Sequence, residues 1–153
     1  MNKHIVAGLL AAALAVASPA FAKGGDLDAA SLNALKSYTL SMDKINAMGA
    51  AYADLAKVAG LKEKSGHVGD NAKTMAEMEA NLAKLPEAMA IFRKHGLTAH
   101  DAVVMPFALM DAGMAVAYPS AAASLADRTS PAQIAFYKAH QAELKKLAWL
   151  NGG

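Results

Sequence analysis

Residues 98–118, TAHDAVVMPFALMDAGMAVAY, decide the fold. Thr98 and Asp101 have the spacing of a helix-opening capping box, in which each side chain takes a backbone N–H of the other's turn. From Ala102 to Ala117 the only charged residue is Asp111, so nearly every face of the helix is apolar. A helix apolar all round is either a membrane span or the buried centre of a bundle. The short length of this run, its central Asp111 and its Pro106 argue against a span. The expectation is a central core helix over Ala99 to Tyr118, around which the rest of the chain must pack.

The surroundings supply helices for that purpose. Ser130-Pro131-Ala132-Gln133 gives a cap with proline at the first helical position, opening a last helix expected to run to about Leu150. Upstream, Thr74 and Glu77 make another box, followed by apolar residues at 75, 78, 82, 85, 89 and 92. Pro86 falls inside that stripe, so either a kink or a fresh helix with Pro86 first is expected there. Ser41 reads as the cap of a helix with Met42, Ile45, Gly49, Tyr52 and Ala56 on one face, closed by Gly60. A short helix over Asp26 to Lys36 completes the set, with Leu27, Leu32 and Leu35 as its contacts. The stretches 60–70, GLKEKSGHVGD, and 119–129, PSAAASLADRT, read as loops, the first of them mobile. Alanine is the best helix former, and 30 of the residues after position 22 are Ala, while no window alternates with period two. The fold class is therefore all-α: a single-domain small bundle of four to five helices, with the domain covering 23–153.

Small residues stand at helical spacing on two segments, Gly49 and Ala53 on one and Ala108, Ala112, Gly113 and Ala117 on the other. Glycine inside a helix costs ~1 kcal/mol against alanine and calls for a packing reason. A close approach of these two helices is the expected reason.

Residues 1–22, MNKHIVAGLLAAALAVASPAFA, carry a basic start at Lys3, an apolar run from Ile5 to Ala17 and Ala20-Phe21-Ala22 at the end. This is the pattern of a secretory signal peptide cleaved after Ala22. It implies a periplasmic or secreted protein with no transmembrane segment in the mature chain. Lys3 is the leader's one charge, which leaves 14 basic and 13 acidic residues in the remainder. Balanced charge without a basic stripe gives no case for nucleic acid as a partner. Cysteine is absent, which excludes c-type haem attachment, thiolate zinc, iron–sulfur clusters and thiol redox chemistry.

Candidate chemistry is sparse. Eight methionines follow the leader, and the pairs Met75/Met78 and Met110/Met114 share a face, a spacing that could serve Cu(I). They coincide with the apolar stripes, so core filling is the expected role. His95, His100 and Asp101 flank the Gly96 turn and could hold zinc, although helix-end charge accounts for them equally. Asp111 needs a partner if buried, and Tyr52, Tyr137 or His140 across the bundle are the expected ones. No nucleophile or oxyanion pattern accompanies Asp111 and His140, so catalysis is not expected. His140 follows Phe136 by one helical turn, on or beside the buried stripe. The order of a methionine on an early helix and a histidine on the last resembles exported four-helix b-type cytochromes. That resemblance implies haem b held axially by His140 with Met42 or Met48. The reading preferred on the residues themselves is a small exported binding or interaction protein, not an enzyme and without a cofactor. Its partner would be another protein or a small apolar ligand; the alternatives are a haem or metal carrier and a structural envelope homo-oligomer.

Overall fold

Cap by cap, the helices begin where side chains can satisfy free backbone N–H groups. The computed structural model describes residues 27–150, and the signal-peptide reading of 1–22 lies outside them. Seven α-helices stand among the described residues, with no strand: α1 (Ala29–Ser37), α2 (Met42–Leu55), α3 (Leu61–Gly66), α4 (Met75–Ala83), α5 (Pro86–Lys94), α6 (Ala99–Ala117) and α7 (Pro131–Leu144). Short 3-10 turns follow α6 at Pro119–Ala121 and α7 at Ala148–Leu150.

Two elements raise the count above the four or five expected. Pro86 starts a fresh helix at its first position, so the stripe from Met75 to Phe92 is shared between α4 and α5. Gly60, at φ 72°, turns the chain directly into α3, where a mobile loop was expected. Leu61 and Val68 are buried among the charges of that stretch and Ala72 just beyond it, and Asn81 Nδ2 donates to the Val68 carbonyl at 2.9 Å. Three apolar anchors outweigh the glycine and lysine content that suggested disorder.

Helix α6 is the centre of the bundle, as its composition requires. It packs against α1, α2, α4, α5 and α7. From Asp101 to Leu109 every residue is buried, Pro106 included. By length and composition alone α6 could cross a membrane, but about two thirds of its apolar window is covered by the protein itself. The capping boxes at Thr98/Asp101 and Ser130/Gln133 are complete. At Thr74 the hydroxyl accepts from Glu77 N as expected, whereas the Glu77 carboxylate reaches one residue further back, to Lys73 N.

The core face of α2 is rotated by one position from expectation. Ile45, Met48, Ala51 and Leu55 are its buried residues, Ala56 is exposed, and Gly49 lies at the edge. Helix α7 also stops earlier than expected, at Leu144, and the chain folds back through residues 145–150 onto α2. The close approach expected between Gly49 and Gly113 is accordingly absent. A Cβ on Gly49 would lie 2.6 Å from Trp149 Cδ1, and one on Gly113 would lie 2.9 Å from Tyr137 Cε2. Each glycine makes room for an aromatic ring, Trp149 at Gly49 and Tyr137 at Gly113.

Candidate functional site

The strongest polar chemistry sits on three carboxylates, each joining segments far apart in sequence. Asp101, in the first turn of α6, is 4 % exposed and accepts from four donors. Tyr38 Oη and Lys44 Nζ reach its Oδ1 at 2.7 and 2.6 Å, and Thr98 N and Oγ1 reach its Oδ2 at 3.0 and 2.8 Å. Burial opposes the charge on Asp101, but Lys44, Thr98 and Tyr38 overcome it and hold the carboxyl well below the usual carboxylate range. The same burial and the hydrogen bond to Asp101 push the Tyr38 phenol far above its ordinary value. Around neutral pH neither group exchanges a proton, so this cluster ties α1, α2 and α6 together.

Asp54, near the end of α2, receives Lys57 Nζ at 2.7 Å and Lys94 Nζ at 2.9 Å, and its Oδ2 lies 2.9 Å from His95 Nε2. Hydrogen bonds from Lys57, Lys94 and His95 hold its carboxyl well below the usual range. An acid near a helix C-terminus is unfavourable by itself; the three basic groups compensate it and join α2 to α5.

Among the described residues, Asp111 is the one buried carboxylate that shifts the other way. Its side chain is 1 % exposed, and its Oδ2 accepts from Arg128 Nε at 2.7 Å. Burial pushes its carboxyl up to about 6, while Arg128 pulls it down by less. The expected partners Tyr52, Tyr137 and His140 are thus replaced by an arginine from the segment between α6 and α7. An isolated carboxylate in an apolar helix would be costly, and Arg128 offsets part of that desolvation. The Arg128–Asp111 pair also anchors that segment, in which Leu125 is buried and Ala126 O accepts from Lys36 Nζ at 2.7 Å.

The histidines scatter. His95 goes to Asp54, His100 Nδ1 lies 2.8 Å from Glu79 Oε1, and His67 Nδ1 lies 2.8 Å from Asp70 Oδ2. The zinc set imagined from His95, His100 and Asp101 is therefore divided among separate partners. Among the described residues no cluster of three or more His, Asp or Glu is placed to hold a metal ion. His140 Nδ1 lies 3.1 Å from Glu143 Oε1, and its ring leans on Phe136 with centroids 4.6 Å apart. Its side chain is partly exposed on α7. Met48 is fully buried in the core, and Met42 packs half-buried against it.

Two further features were not legible in the sequence. An open hollow of about 460 Å³ lies over the turn at Gly60, lined by Val58, Lys62, Glu63 and His67 among others. The second is the seat of Trp149. Its ring lies against the Cα of Gly49 and meets Tyr52 edge-on, with centroids 5.4 Å apart and planes at 62°. Tyr52 in turn meets Phe92 edge-on at 6.4 Å. Trp149 Nε1 is buried there without a hydrogen-bond partner, and Thr129 Oγ1 is the other such buried atom among the described residues. A single glycine at position 49 was the visible trace of this niche, and its partner lies 100 residues away in the sequence. No protein-family model, curated protein or solved structure matches this chain.

Proposed function

We propose that this chain is a small exported helical binding protein that takes a small apolar ligand and performs no chemistry on it. The observation that supports this reading is how the ionisable groups are used. Asp54 and Asp101 are held ionised by cations and donors at 2.6–2.9 Å, and Asp111 is buried against Arg128 at 2.7 Å, so all three carboxylates are engaged within the fold. The unmatched polar atom of Trp149 lies in an aromatic setting, which suits an apolar guest better than a reacting one. Export rests on the leader pattern of residues 1–22.

One preparation tests both parts. Protein recovered from the periplasm or culture medium is expected to be colourless, to begin at Lys23 by mass spectrometry, and to melt higher when small apolar compounds are added. An intact Met1 overturns export. A Soret band in the wild type that disappears in His140→Leu replaces the apolar ligand by haem b, with Met42 or Met48 as the second axial ligand to examine.

A further inference from the structure

Helix α2 carries a glycine in its middle, and the ring of Trp149 occupies the space a side chain would have needed. Glycine there costs helix stability against alanine. The indole adds a second cost, because its buried N–H has no acceptor and an unmet buried donor is destabilising. A ring of the same flatness without that donor would fit the niche without the second penalty. The edges of Tyr52 and Phe92 already give the geometry that aromatic rings prefer.

The segment that delivers Trp149 is short and locally bonded. Lys146 N donates to Glu143 O and Leu147 N to Leu144 O at the end of α7, and Leu150 N donates to Leu147 O in the turn after it. Leu150 is buried beside it. A turn held by single i→i+3 bonds beyond a helix end opens more easily than the interior of a helix.

We infer that the niche over Gly49 is a binding site for a small, flat, uncharged aromatic molecule, and that Trp149 fills it in the free protein as a displaceable plug. The inference rests on the binding-protein reading above and names its site and ligand class. The ligand takes the place of the indole between Gly49 and Tyr52, and the turn at Ala148–Leu150 swings outward. Affinity is lowered by the fraction of time the plug is seated, so removing the plug strengthens binding.

Trp149 is the only tryptophan of the chain, so its fluorescence and its indole N–H signal report this seat alone. In the full-length exported protein the indole N–H is expected to exchange with solvent at least about tenfold faster than the α6 amides of Val104 and Ala108. Toluene is the probe ligand. It should shift Trp149 emission to the red in the wild type and bind Trp149→Ala at least about tenfold more tightly. Should Trp149→Ala fail to fold, Gly49→Ala serves instead: its Cβ would meet the ring at 2.6 Å, so Trp149 emission should move to the red with helix content unchanged. An indole N–H that exchanges only together with the α6 amides overturns the plug. Toluene that raises the melting temperature without moving Trp149 also overturns it, and leaves the binding-protein reading standing. If no apolar compound stabilises either protein, both fail.

Discussion

Asp111 shows how one side chain can lower stability and still be held in place. Its folded-state carboxyl titrates at about 6, above the ordinary 3.8, so the folded protein holds this proton more tightly than the unfolded chain does. The group's favourable contribution is complete below pH 3.8 and is lost as pH rises through about 6. Asp111→Asn is therefore expected to melt above the wild type at pH 7–8, by on the order of 1–3 kcal/mol, with the gap closing toward pH 4. Arg128→Ala should act in the opposite sense, losing about 1–3 kcal/mol at pH 7 and little at pH 4, where Asp111 is neutral. Thermal melts of the three proteins across that range check both, and a pH-independent difference would mean that Asp111 is not the titrating group. Sequence alone marked Asp111 as needing a partner, because it is the one charge in an apolar run. It could not name Arg128, since nothing in a loop of alanines and serines marks one arginine as facing inward.

At the scale of elements, the joints matter more than the helices. Gln133 both completes the cap of α7 and donates from Nε2 to the carbonyls of Leu35 and Tyr38, at 2.7 and 2.8 Å, at the end of α1. Ser31 Oγ accepts from Met75 N at 3.0 Å, tying α1 to the start of α4. Gln133→Met keeps the volume and removes the donors, so about 1–3 kcal/mol of stability should be lost, read as a lower denaturant midpoint. Helix starts were legible because a cap is a local device: Ser41, Thr74, Thr98 and Ser130 all open helices as their spacing indicated. Helix ends were less so. Helix α7 stops at Leu144, and beyond it Trp149 docks on Gly49, a contact with no local signature. The same holds for Asp101 with Tyr38, 63 residues apart, where only the capping half of its role was visible.

The whole molecule is organised around α6. Ala108 and Ala112 are fully buried, so Ala108→Arg or Ala112→Glu should abolish cooperative unfolding near room temperature, because an unpaired buried charge is among the largest single-residue penalties. Lys62→Glu, on the exposed side of α3, should leave the melting curve within about 0.5 kcal/mol of the wild type. Normal melting of both core variants would mean that α6 is not the centre. The central place of α6 was the most legible part of the fold, since a helix with one charge among its inner residues has nowhere else to go in a bundle.

The methionine content of that centre ties oxidation to folding. Met48, Met75, Met78 and Met105 are at most 2 % exposed, whereas Met42, Met110 and Met114 lie nearer the surface. Oxidation turns an apolar thioether into a polar sulfoxide that the core cannot accommodate. The outer three would be oxidised first, each loosening the packing over the next. The inner four are protected only while the bundle stays closed, so damage within one molecule should be self-accelerating: slow at first, then rapid once the first buried sulfur is reached.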